Sequence, residues 1–145
     1  MLSGSLLCER LPHARAMCLL ECVVEWDENS IRCTATSHRD PDNPLRNGAG
    51  LHAVSGVEYA AQAMALHGSL VFSDPAPRAG YLASLRDVKL GAEWLNDFEG
   101  LLDITARKIG GDSVGALYAF RIESDRRLLV AGRAAVVYKN RDRSA

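Results

Sequence analysis

At 145 residues, with 48% apolar and 24% charged residues and a formal net charge of −1, the chain has the length of one globular domain and an ordinary folded balance. A chain of this size buries roughly 70% of its unfolded surface, so its core needs no disulfide staples. The near-zero charge excludes a global field for nucleic acid. No stretch reaches the ~18 apolar residues of a membrane span, and the short apolar run near Leu6 does not read as a secretory leader. A cytoplasmic protein with neither nucleic-acid nor membrane partners is expected.

Residues 1–16 read as irregular around Pro12, with 1–10 and 140–145 loosely ordered. Met17 to Trp26 is rich in β-branched and aliphatic residues and predicts a strand. Within it Cys18 and Cys22 share a face. With Cys8 and Cys33 they read as reduced, small apolar residues, and neither a CxxC pair nor a metal site is present. Residues 27–29 supply a polar turn and Ile31 to Thr36 a second strand. His38 to Gly50 is a loop, with Asp40 and Asp42 as turn formers.

Ser55 to His67 contains four alanines and no proline. Ser55 and Glu58 form the S-x-x-E pattern of a capping box, and Gly68 is a plausible terminator. The strongly polar side chains of this helix, Glu58 and Gln62, are four residues apart and share a face. A helix otherwise apolar nearly all round is a buried helix. Tyr81 to Leu90, Leu101 to Ile109, Val114 to Glu123 and Leu128 to Tyr138 then predict four long strands in an antiparallel meander. Gly110-Gly111 is a hairpin signal, since no helix follows to make a phosphate loop.

The fold class expected is α+β, a single domain over 1–145: one central helix wrapped by a curved antiparallel sheet of about six strands, the hotdog arrangement. Such an open sheet has exposed edges, so pairing with a second copy is expected.

The order Leu11-Pro12-His13, strand pair, proline-containing loop, then Gly56-Val57-Glu58-Tyr59-Ala60-Ala61-Gln62 resembles the hotdog-type 3-hydroxyacyl-acyl-carrier-protein dehydratases. Tyr81 to Leu85 is similar to the strand that follows the helix in that family. SHRDPDNPLR and GVEYAAQAMALHG resemble its branch associated with aryl polyene pigment synthesis. The resemblance implies dehydration of a 3-hydroxyacyl thioester delivered on phosphopantetheine by an acyl carrier protein, with no other cofactor and no metal. It also implies a homodimer or a mixed dimer with a related hotdog subunit. One departure stands out. The family's HFPG-type histidine falls on Asn47 when counted from Gly56, and on Pro44 when counted from Glu58. His38, at a strand end, is then the favoured base, with His52 as the alternative.

In this chemistry a neutral imidazole removes the α-proton and the Glu58 carboxyl positions or protonates the departing hydroxyl. Backbone N–H groups at Gly56 and Val57 hold the charge that builds on the thioester carbonyl. Gln62 orients the carboxylate. Each residue also has a plainer explanation: Glu58 as the cap partner of Ser55, His38 and His52 as loop residues, His13 as a support of the N-terminal segment, His67 as a helix-end residue and Gln62 as a buried paired amide. Arg10, Arg15, Arg39, Arg46 and Arg78 are candidate contacts for an acidic carrier. An acyl-thioester hydrolase and a non-catalytic partner of an active dehydratase are the competing functions.

Overall fold

Along residues 115–124 buried side chains alternate with exposed or half-buried ones: Ala116, Tyr118, Phe120 and Ile122 point one way, Leu117, Ala119 and Arg121 the other. That period of two marks a sheet with one face on a core and one in water. The computed structural model describes residues 2–11, 17–72 and 80–138. Its strands are β1 (Leu2–Ser3), β2 (Cys22–Trp26), β3 (Ser30–Ala35), β4 (Gly80–Leu90), β5 (Leu102–Gly111), β6 (Gly115–Ser124) and β7 (Arg127–Tyr138). Its helices are α1 (Gly4–Cys8) and α2 (Gly56–Val71), with 3-10 turns at Ser37–Arg39, Ala53–Ser55 and Leu95–Asp97. The strands form one antiparallel sheet in the order β1-β2-β3-β5-β6-β7-β4. Helix α2 lies across its inner face, with Tyr59, Ala60, Ala63 and Met64 packed into the same core as Ile104, Tyr118, Phe120 and Val130.

The four long strands fall within a residue or two of expectation, but only β5-β6-β7 form the expected meander, because β4 crosses to the far edge and pairs with β7; the sheet has seven strands where about six were expected. The seventh is the two-residue β1, which together with α1 replaces the expected irregular start. Leu7 of α1 is wholly buried, and that anchor orders residues 2–11.

The strand expected over 17–26 is present only from Cys22. Side chains take the backbone groups that a ladder would use further upstream. Gln62 accepts from the Leu19 N–H and donates to the Met17 carbonyl, and Ser37 Oγ donates to the Leu19 carbonyl. Ladder pairing resumes where the Glu21 N–H donates to the Thr34 carbonyl. Cys18 therefore does not share a strand face with Cys22. It forms a disulfide with Cys8, with Cα atoms 5.7 Å apart, which corrects the expectation of four reduced cysteines. Cys22 and Cys33 are free, and burial pushes the Cys33 thiol up to about 12.

The helix also departs from expectation at both ends. Ser55 has α-helical dihedrals and its side chain caps nothing, so the capping box does not form. The preceding 3-10 turn extends the helix backward and is capped by His52. Gly68 does not terminate α2, which runs on to Val71. It lies against the Tyr138 ring, where a Cβ would meet Cε1 at 3.4 Å, an ordinary van der Waals contact. His67 is consequently internal to the helix and wholly engaged. Its Nε2 donates to the Asp27 carbonyl at 2.8 Å and its Nδ1 accepts from the Tyr118 hydroxyl at 2.6 Å.

Candidate active site

Helix α2 turns about 100° per residue, so Glu58 lies about 200° round from Gly56. Gly56 faces the sheet so closely that a Cβ would come within 2.9 Å of Ile122 Cδ1 and Val130 Cγ2. Glu58 is therefore on the side away from the sheet, half-buried. Gln62, one turn on, donates to Glu58 Oε1 at 3.5 Å while holding Met17 and Leu19 at 2.8 and 2.9 Å. The shorter bonds show where the amide does most of its work: it locks the segment ahead of β2 onto α2. The longer one reaches the carboxylate only at the outer limit of a hydrogen bond.

His38 sits in the 3-10 turn after β3, wholly buried. Its Nε2 bonds the Phe98 carbonyl at 2.9 Å. A carbonyl only accepts, so Nε2 carries the proton and the neutral ring keeps its lone pair on Nδ1. Nδ1 is buried and has no hydrogen-bond partner. Burial holds this imidazole below its ordinary pKa, Arg39 acts in the same direction, and the Phe98 and Gly100 backbones act against them. The ring is thus neutral near pH 7, with an unused lone pair under the 98–100 segment.

The turn that carries His38 is tied to the helix by groups that sequence reasoning did not single out. Asn43 Nδ2 donates to the Ser37 carbonyl at 2.8 Å and to the Tyr59 hydroxyl at 3.0 Å. Tyr59 Oη lies 2.7 Å from Ser37 Oγ. Ser37 spends its one proton on the Leu19 carbonyl at 2.8 Å, so Tyr59 is the donor to Ser37. The chain of donors runs Asn43, Tyr59, Ser37 to the Leu19 carbonyl, and the Leu19 N–H donates in turn to Gln62 Oε1. His38 and Glu58 are connected through this network. Tyr59 stood in the helix motif beside Glu58, and Asn43 between Asp42 and Pro44. Nothing in their spacing pairs them.

His52, the alternative base, lies half-buried just before the 3-10 turn that leads into α2. Its Nδ1 accepts from the Val54 N–H at 3.0 Å, so the lone pair that a base needs is committed to the 3-10 turn. Its ring meets Trp94 edge-on. The Gly56 N–H, expected to hold an oxyanion, is taken by the Ala53 carbonyl because the 3-10 turn supplies an acceptor. Val57, the next residue, is half-buried. Of the expected carrier contacts, Arg39 bonds the Glu99 carbonyl and Arg46 the Asp40 carbonyl. Arg10 is half-buried. His13, Arg15 and Arg78 lie outside the described residues.

One long helix across an open antiparallel sheet, with a carboxylate near the helix start, defines a protein of the hotdog fold. The chain belongs to the ApeP-like family, described as ApeP dehydratase, whose sequence profile matches residues 7–145. Among solved structures it is similar to the dehydratase heterocomplex ApeI:P from Xenorhabdus doucetiae, with 25% identity, a TM-score of 0.82, and 94% of this chain and 92% of that chain covered. The fold recurs in a thioesterase from Haemophilus influenzae, with 15% identity, a TM-score of 0.66, and 97% and 92% covered. It recurs again in the PaaI protein of the E. coli phenylacetic acid degradation operon, with 14% identity, a TM-score of 0.63, and 89% and 85% covered. No curated protein sequence matches it. Among the described residues no helix is long and apolar enough to cross a membrane.

Proposed function

We propose that this chain is one subunit of a dehydratase that converts a 3-hydroxyacyl thioester, carried on the phosphopantetheine arm of an acyl carrier protein, into the trans-2-enoyl thioester. The observation that carries the reading is Glu58, a half-buried carboxylate near the start of α2 with Gln62 beside it. In the reaction a base takes the C2 proton and that electron pair forms the C2–C3 double bond. The C3 hydroxyl leaves with a proton from Glu58 as water. His38 Nδ1 is the base this chain offers, and the 98–100 segment must move aside for substrate to reach it. The Val57 N–H, next to the bare Cα of Gly56, faces the thioester carbonyl. The site needs no metal.

The site is completed by a second hotdog subunit. Strand β4 ends the sheet, and Leu85, Val88 and Leu90 remain 40%, 37% and 45% exposed. Leu90 pairs with Val130, which packs under Gly56, so this uncovered strip runs up to the helix start. A mixed dimer that covers it would wall an acyl tunnel. The heterocomplex named for the similar Xenorhabdus structure supports a mixed assembly. A second reading, in which the base comes from the other subunit, is favoured by the complete burial of the His38 ring.

Mass spectrometry of 3-hydroxyacyl carrier protein, incubated with this protein alone and together with a co-expressed hotdog dehydratase subunit, tests both readings. Loss of water, slowed about 100-fold or more by Glu58→Gln, supports the proposal. Activity that survives His38→Ala assigns the base to the partner. Release of free acid points to a hydrolase, and dehydration untouched by both substitutions overturns the site.

A further inference from the structure

We propose that the outer face of the sheet, opposite α2, binds a small polyanion of the oligophosphate class. A cleft of about 800 Å³ opens there, lined by Lys89, Arg107, Arg121 and Arg133 around Ala119 and Ala131. Strand register explains its shape. One row across the sheet reads Arg107, Ala119, Arg133, Arg86, and the adjacent row reads Thr105, Arg121, Ala131, Lys89. In each row an alanine separates two cations that stand two strands apart, roughly 10 Å. The short methyls form the floor and the long cationic side chains form the rim.

Among the described residues this rim is only partly neutralised. Among the described residues Arg121 pairs with Glu123 at 3.5 Å, and Arg32, outside the cleft, pairs with Asp103 and Glu25. Among the described residues the side chains of Arg86, Lys89, Arg107 and Arg133 have neither an ion pair nor a hydrogen bond. Asp87 is the one carboxylate against the four cations of the lining. Arg86 and Arg133 are direct cross-strand neighbours, an arrangement of like charges that disfavours the sheet unless an anion sits between them. The guanidinium fork matches phosphate oxygens two at a time. The volume suits a small ligand, whereas a protein partner needs about 800 Å² of its own surface buried. The site lies across the sheet from Glu58 and does not depend on the dehydratase reading.

Isothermal titration calorimetry with inorganic tripolyphosphate and with ADP, at low and at physiological salt, tests the site. Saturable one-to-one binding of either probe that persists at physiological salt is expected. The Arg107→Gln/Arg133→Gln double variant should weaken it at least about tenfold, whereas Arg32→Gln should not. Equal binding of both probes assigns recognition to the phosphates alone, and binding of ADP only assigns a nucleotide. Both arginines are exposed, so an unchanged melting curve certifies the double variant as folded. Absence of binding by both probes, binding only at low salt, binding indifferent to the two arginines, or binding of polyglutamate in place of either probe overturns the proposal.

Discussion

The Tyr59 hydroxyl donates to Ser37 Oγ across 2.7 Å, binding the helix to the turn that carries His38. Tyr59 is fully buried, and burial raises its phenol pKa. Tyr59→Phe removes one oxygen and leaves Asn43 Nδ2 and Ser37 Oγ each short of a partner. The expected cost is about 1–3 kcal/mol, read as a lower urea midpoint with an unchanged slope. Because Ser37 precedes His38, the His38 imidazole resonances should shift in the same variant. A destabilised Tyr59→Phe protein with unmoved His38 signals would show that the network does not position the ring.

Stability should fall on mild acidification. Burial is the main cause that holds both His38 and His67 below the ordinary imidazole value. For His67, Lys108 acts in the same direction while the Asp27 backbone and charge oppose. The unfolded chain takes up these protons near pH 6.5, and the folded chain takes them up only at lower pH. Stability is therefore full above about 6.5 and declines as pH falls through the lower folded values. Urea midpoints measured between about pH 5 and pH 8 should show this decline. His67→Gln, which cannot titrate, should have a flatter profile even though it is less stable overall.

Strand alternation was legible because a half-buried sheet writes a period of two directly into the chain, as residues 115–124 do. Helix burial was legible from its alanines. The helix ends were not. S-x-x-E at Ser55 and Glu58 matches a cap, but the Ala53–Ser55 turn leads straight into the helix, gives the Gly56 N–H an acceptor and leaves Ser55 with helical dihedrals. Gly68 reads as a stop by local propensity, whereas the helix runs on to Val71 through buried Gly68 and Ser69. The same limit applies at the site. Glu58 and Gln62 share a helix face by arithmetic, but Asn43 meets Tyr59 only through the fold. The Cys8–Cys18 bridge depends on residues 2–11 being ordered by Leu7, which composition does not reveal.

The hairpin between β6 and β7 stores strain that one substitution should release. Asp125 and Arg126 have φ of 50° and 68°, a two-residue turn in which both residues are left-handed. For a residue with a Cβ this costs about 1–2 kcal/mol. Arg126→Gly removes that cost and returns about 0.5–1 kcal/mol as extra freedom of the unfolded chain. A net gain of about 0.5 kcal/mol is expected, measured as a higher urea midpoint. A loss would mean that the Arg126 side chain contributes more than its strained backbone costs.

The uncovered β4 strip should decide assembly. Inner-face β4 residues Leu85 and Leu90 pair with Ala134 and Val130, which are buried, yet at the sheet edge they have little over them. A free edge with an apolar inner face is a pairing surface. Leu85→Glu together with Val88→Glu places two carboxylates in the strip without disturbing a buried side chain, so the single chain should keep its melting temperature within a few degrees. Any dimer should dissociate, because each charge would be buried without a partner. Sedimentation velocity, run on this protein alone and mixed with a hotdog partner subunit, reads the outcome directly. Assembly unaffected by both glutamates would place the interface elsewhere.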